Sequence, residues 1–317
     1  MDHTRFGRTG LDVSVASLGS GGASRLGQQY GATFEDSVRV VRSALDGGVN
    51  LVDTAGTYGT EEIIGAAIRG HRDGVVVSTK SAIVENPMAR GTDLISGTRF
   101  SERVHASLAR LGTDYIDILY VHGLQPEHYD YCVTEIVPVL ERLRSQGSIR
   151  FSGVSEAWSS DPAHEMLERA LADDHFDVMM VGLNIVNHSA LAHIIPLAKE
   201  ADVGIQCMYA VRRKLAQPDL ARQVVEAAVA AGEVDPADLD RVDPLGFLVA
   251  PDVAGSLAEA CYRFDRHSPG VDTVLTGTGS LDHLAENLRS MTGPPLPETV
   301  VARIGRLFGD VRSVTGD

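Results

Sequence analysis

The chain is poor in cysteine, tryptophan and positive charge, and each shortage excludes something. Its three cysteines, Cys132, Cys207 and Cys261, are odd in number and far apart. That leaves no disulfide framework and no zinc-ligand spacing, and reads as reduced, mostly buried thiols of a cytoplasmic protein. His188 and His193 are not spaced to bind a metal from one helical face, and no metal is expected. Lys and Arg total 28 against 43 Asp and Glu, a formal charge of -15. That is the wrong sign for wrapping a phosphate backbone, so nucleic acid is not an expected partner. No apolar run reaches the roughly 18 to 20 residues a membrane span requires. The opening stretch, Met1 to Gly7, lacks the apolar core of a secretion signal. With 44% hydrophobic residues, 22% charged residues and no low-complexity tract, the 317 residues are expected to form one globular domain over 1–317.

What is present is a repeated unit: a short apolar run, a Gly-rich or polar loop, then a helix of 3.6-residue period. A small hairpin over 4–16, turning at Gly7–Gly10, comes first. Eight strand-like runs follow: Val15–Leu18, Val49–Asp53, Gly74–Lys80, Tyr115–His122, Ile149–Ser155, Phe176–Val181, Val203–Tyr209 and Val271–Leu275. The first helix is expected to start at Thr33 as N-cap and to stop at Gly47-Gly48. The third is expected to start at Ser101, with Glu102 in its first turn. Others are read near Val133–Ser145, Ala163–Leu171, Ala190–Lys199, Leu257–Phe264 and Ser280–Met291. A mostly helical excursion covers about 212–250, and a last helix, Glu298–Val311, has no strand after it. Eight strand–helix units without a linker-like gap predict an α/β (β/α)8 TIM barrel, with an N-terminal β-hairpin and extra helices. A doubly wound sheet would place G-x-G-x-x-G directly after the first strand. The segment Gly19–Ser24 lacks that spacing and opens a long loop.

In a barrel, the C-terminal lips of the strands converge on one mouth. Lips two, three and four carry Asp53, Lys80 and His122, and Tyr58 sits on the loop after the second strand. A phenol, with its ordinary pKa near 10, is a poor acid at neutral pH. A buried ammonium beside it favours the phenolate, and a carboxylate keeps that ammonium charged in a dry cavity. An imidazole can hydrogen-bond the same substrate oxygen that the phenol protonates. Such a set gives a proton to a carbonyl oxygen while a hydride reaches the carbon. Taken singly, each residue has an ordinary structural explanation: a surface lysine, a capping aspartate, a half-buried tyrosine, a core histidine. Their falling together at successive lips favours the functional reading.

These residues also carry a resemblance. Asp53–Gly59, Ser78–Lys80, Asp114–His122, Arg150–Ser155 and Gly277–Ser280 through Glu286 and Asn287 resemble the signature segments of the aldo-keto reductases. The resemblance extends over residues 4–291, and is strongest to the bacterial sugar-dehydrogenase-like branch that oxidises aldoses such as L-fucose and D-threo-aldoses. It implies that the hairpin plugs the barrel floor. It also implies an NAD(P)-dependent oxidoreductase that acts on a small carbonyl or sugar substrate. In it Tyr58 is the general acid/base, Asp53 and Lys80 its tuners, and His122 the residue that orients the carbonyl.

By the same resemblance, Ser155, Glu156 and Asn184 face the nicotinamide carboxamide, and Tyr209 stacks on the ring. Glu156 departs from the usual Asn and cannot donate to the carboxamide oxygen. It is expected either to leave that role or to turn towards the substrate. Gly277, Thr278 and Ser280 precede a helix N-terminus suited to phosphate, and Glu286 and Asn287 match adenine contacts. Gly277 and His283 stand where a 2′-phosphate partner is common, and Arg212, Arg213 and Lys214 could clamp the pyrophosphate. NADP(H) is the expected cofactor, with NAD(H) the alternative. The substrate pocket is expected to be lined by the Gly19–Ala32 loop, the Gly123–Cys132 loop, Trp158 and the 210–250 excursion. Two other functions fit the same sequence. One is a non-catalytic dinucleotide-binding barrel, which has no need of the Asp53–Tyr58–Lys80–His122 set. The other is a reductase of a non-sugar biosynthetic intermediate.

Overall fold

The computed structural model describes residues 1–86, 93–212 and 214–316. A two-stranded antiparallel hairpin, β1 (His3–Arg5) and β2 (Asp12–Ser14), precedes eight parallel strands that close into a barrel. These are β3 (Ala16–Gly19), β4 (Leu51–Asp53), β5 (Val76–Ser81), β6 (Ile116–Leu124), β7 (Ile149–Glu156), β8 (Val178–Gly182), β9 (Gly204–Met208) and β10 (Thr273–Thr276). They pair in chain order, and β10 closes on β3. The helices are α1 (Phe34–Asp46), α2 (Glu61–Ile68), α3 (Gly97–Leu111), α4 (Tyr129–Tyr131), α5 (Val137–Ser145), α6 (Glu165–Asp173), α7 (Ile194–Glu200), α8 (Pro218–Ala230), α9 (Leu257–Arg266), α10 (Leu281–Thr292) and α11 (Glu298–Phe308). The (β/α)8 expectation and all eight strands are borne out, with no end displaced by more than two residues.

Three apolar clusters hold this together, and burial of this kind is the main favourable term in folding. The largest lies between the sheet and its ring of helices. The second joins α8, α9 and α11, so the excursion after β9 builds much of its own core there. The third fills the barrel, where Phe6, Val13, Leu51, Ile118, Tyr120, Val178 and Met180 meet. Phe6 comes from the hairpin and is fully buried. A Cβ on Gly204 would come within 2.6 Å of its ring, so the hairpin seats directly on the barrel backbone. Arg5 clamps it there with two bonds to Asp202, at 3.0 and 2.7 Å. The expected plug is therefore in place.

Thr33 caps α1 through Asp36, which reciprocates as a capping box, and Gly47 ends the helix, both as expected. The start of α3 corrects the sequence reading. Its cap is Ser96, whose hydroxyl accepts from Arg99 N at 3.2 Å, and Ser101 lies inside the helix. Gly97, the first residue of α3, is a packing glycine. Its Cβ would sit 2.7 Å from Val139 of α5. The helix read near Val133 begins at Val137, after α4 and a π-helical turn over Cys132–Ile136.

Candidate active site

The mouth is built outward from a buried charge pair. Lys80 and Asp53 are both sealed from solvent at the lips of β5 and β4, joined by a short contact between Nζ and Oδ2. Nζ also donates to the Thr54 carbonyl at 3.0 Å, and Ser78 Oγ donates to the second Asp53 oxygen at 2.8 Å. Ser78 and Lys80 stand two residues apart on one strand and so share a face. Periodicity alone could have assigned Ser78, and the sequence reading did not. Burial raises the Asp53 carboxyl, with the charge and hydrogen bond of Lys80 and the bond from Ser78 opposing it. Burial also works against the Lys80 ammonium, yet Asp53 and Tyr58 outweigh it and raise the lysine above its ordinary value. The lysine therefore keeps the proton, and the two groups stand as an ion pair.

Tyr58 and His122 lie nearer the opening, each half-buried. The Tyr58 loop is pinned at its base by a buried hydroxyl chain: Thr54 to Thr60 at 3.0 Å, and Thr60 to Ser20 at 2.7 Å. Its ring lies against the backbone of Gly21, where a Cβ would come within 2.5 Å of Cε2. The Lys80 Nζ sits 5.2 Å from the Tyr58 ring centroid. His122 owes its aim to an irregularity in β6, where the pairing with β7 shifts register between Val121 and Leu124. Such bulges re-aim side chains. Gly123 takes a left-handed φ of 59° there, and its N–H donates to Ser155 Oγ at 2.8 Å. His122 Nε2 stands 3.4 Å from the Tyr58 hydroxyl, with the rings edge to face. Burial first, then the Lys80 charge, lower the His122 pKa to about 3, so it is a neutral imidazole at pH 7. The structure brings the four residues together, and an oxygen placed between Tyr58 and His122 would lie within hydrogen-bond reach of both.

The lips of β7, β8 and β9 differ from expectation. Glu156 is buried and turned inward: Oε1 accepts from Gly182 N at 2.6 Å, and Oε2 meets His164 Nδ1 at 2.8 Å. With both oxygens engaged there it has not turned towards the substrate, which corrects that alternative, and the geometry accords with the other, in which it leaves the carboxamide role. Asn184 is likewise committed, donating to the Thr315 carbonyl at 2.9 Å and accepting from Val186 N and Asn187 N. Trp158, expected to line the substrate pocket, is instead 1% exposed and lies on Gly182, where a Cβ would come within 2.1 Å of it. It stacks on His164 and meets Tyr209 edge-on. Tyr209 is at the mouth in a left-handed conformation, φ 72°, with the Arg212 guanidinium 4.1 Å from its ring centroid. His164, Ser189 and Asn187 were missed, because nothing in the local sequence marks them.

At the end of β10, Gly277, Thr278 and Ser280 lead into the N-terminus of α10, where the sequence reading expects them. Ser280 caps α10 by accepting from His283 N at 3.3 Å, and Thr278 Oγ1 accepts from Ser280 N at 3.1 Å. Gly279 lies so close to Gly27 that its Cβ would be 2.2 Å from that Cα, so the loop after β3 is laid over this turn. A Cβ on Gly277 would sit 3.0 Å from the Gly19 carbonyl. His283 and Glu286 are exposed, while Asn287 Nδ2 is drawn to Thr276 at 2.9 Å, tying α10 to β10. Lys214 is partly buried, and Arg213 lies outside the described residues. The expected carboxamide contacts Ser155, Glu156 and Asn184 are engaged with their own chain. No cluster of metal-ligating residues occurs among the described residues, and no helix among them is long and apolar enough to cross a membrane.

A closed (β/α)8 barrel with a phenol and an imidazole above a buried Lys–Asp pair at its C-terminal mouth is an architecture suited to carbonyl–alcohol oxidoreduction. The model of the aldo/keto reductase family matches residues 17–307, and the chain belongs to that family. Aldo-keto reductase YhdN of Bacillus subtilis is 30% identical over 305 residues, covering 90% of this chain and 88% of that protein. L-galactose dehydrogenase of Arabidopsis thaliana is 32% identical over 208 residues, 63% of this chain and 62% of that one. The holo form of an aldo-keto reductase from Bacillus halodurans superposes with a TM-score of 0.74, covering 98% of this chain and 97% of that one at 22% identity.

Proposed function

We propose that the protein interconverts an aldose with its lactone, or a related carbonyl with its alcohol, using NADP(H), with NAD(H) as the alternative cofactor. Tyr58 carries the proton. The observation that supports this reading is the buried Lys80 ammonium set between Asp53 and the Tyr58 ring, with His122 Nε2 3.4 Å from the phenol oxygen. In the reductive direction, Tyr58 gives its proton to the carbonyl oxygen, and neutral His122 can donate a hydrogen bond to the same oxygen. Negative charge left on the phenol is stabilised by Lys80, which Asp53 and the Thr54 carbonyl hold in place. In the oxidative direction the phenolate takes the hydroxyl proton. The bound nicotinamide supplies or takes the hydride. Gly277, Thr278, Ser280 and the α10 N-terminus would hold its phosphates, with Tyr209 and Arg212 following the neighbouring strand β9.

The sugar assignment is drawn from the likeness to L-galactose dehydrogenase and from the sugar-dehydrogenase character of the signature segments. It is tested by incubating purified protein with NAD+ or NADP+ and a panel of aldoses, following the absorbance of the reduced cofactor. Turnover of aldoses supports the reading. Turnover confined to non-sugar aldehydes or ketones would move the substrate class while keeping the reaction type.

A further inference from the structure

Glu156 and His164 are buried, hydrogen-bonded and unused by the chemistry above. Counting donors shows what joins them. The Asn187 amide is oriented by its Nδ2, which donates to the Val314 carbonyl at 2.9 Å, leaving Oδ1 as an acceptor. Ser189 Oγ gives its single proton to that Oδ1 at 2.7 Å. The 2.9 Å contact between Ser189 Oγ and His164 Nε2 must therefore be a bond donated by the imidazole. With Nε2 protonated, the contact between Nδ1 and Glu156 Oε2 holds one proton, whichever atom carries it. The pair is thus electrically neutral, which suits a site where an isolated charge would be costly.

The backbone bears a cost for this arrangement. His164 adopts a left-handed φ of 64°, unusual for a residue with a Cβ, immediately before α6. What the arrangement holds is Trp158, the chain's single tryptophan. Its ring is stacked on His164 with an interplanar angle of 18°, and its underside rests on Gly182, whose N–H is bound to Glu156.

We propose that the Glu156–His164 pair is a positioning element for Trp158, fixing the indole as the sealed floor of the mouth beside β7 and β8 and so setting substrate fit. The proposal rests on the oxidoreductase reading for its kinetic consequence, but not for its structural one. His164→Phe keeps an aromatic stack and removes both hydrogen bonds, so the indole is released from its seat. Trp158 emission should then shift to the red, and substrate KM should rise about tenfold, the scale of a lost buried hydrogen bond. kcat and dinucleotide Kd should change by less than about threefold on the same basis. Glu156→Gln is the discriminating variant. Its amide oxygen can accept from Gly182 while its NH2 donates to a neutral His164, so emission and KM should stay near wild type.

Should His164→Phe fail to fold, Ser189→Ala, which removes the acceptor of Nε2–H together with the bond to Asn187, should move emission and KM in the same direction. Unchanged emission and KM in both His164→Phe and Ser189→Ala overturn the proposal. So does a large activity loss in Glu156→Gln with emission unmoved, because the carboxylate would then act on a ligand itself. Failure of the wild type to turn over any carbonyl would strike the oxidoreductase reading alone. The emission results would still decide the role of the pair.

Discussion

The two sides of the mouth use polar side chains in opposite ways. On the β4–β6 side, Asp53 and Lys80 satisfy each other below, and Tyr58 and His122 stand above them facing the opening. On the β7–β9 side, Ser155, Glu156 and Asn184 are satisfied by their own chain, and Trp158 and Tyr209 pack on each other. The first side presents a phenol and an imidazole above a buried ion pair; the second is packed and hydrogen-bonded to itself. A residue type at a strand lip therefore does not establish a role until its hydrogen bonds are counted.

The largest effect expected from testing this contrast is at Lys80. Lys80→Met should lower kcat by roughly 10²–10³, the scale for loss of a preorganised charge-stabilising donor. It should also cost about 3–5 kcal/mol of stability, because Asp53 is left buried and unpaired. Steady-state kinetics and denaturant unfolding check both. Gly21→Ala comes next: its Cβ meets the Tyr58 ring at 2.5 Å. The displaced phenol should reduce kcat about 10²-fold, while dinucleotide affinity measured by titration holds.

Asn184→Ala probes the second side. It should cost about 1–3 kcal/mol of stability through the lost tie to Thr315, with dinucleotide Kd little changed. A large loss of affinity at constant stability would break the comparison. The pH dependence is subtler. His122 titrates near 6.5 when unfolded and near about 3 in the fold. Between those values the unfolded chain binds more protons, so stability falls as pH drops from about 6.5 towards 3. His122→Gln should flatten that part of the profile of Tm against pH. The smallest effect is Ser96→Ala, about 1 kcal/mol of stability with unchanged activity.

Why the two sides differ in legibility follows from sequence distance. Strand runs and most helix caps are local signals, and Thr33, Ser280 and the eight apolar runs stand out for that reason. Asp53, Lys80 and His122 each terminate such a run, so the barrel topology alone brings them together. The β7–β9 residues depend on partners that no local pattern announces. His164 lies 8 residues from Glu156, Ser189 lies 25 from His164, and Thr315 lies 131 from Asn184.

The central claim is that Tyr58 carries the proton and does not hold the cofactor. Tyr58→Phe keeps the ring that lies against Gly21 and removes only the hydroxyl facing His122. The decisive measurement is its turnover with the best substrate, alongside dinucleotide Kd by titration. The account predicts loss of turnover with Kd essentially unchanged; turnover near the wild-type rate would contradict it.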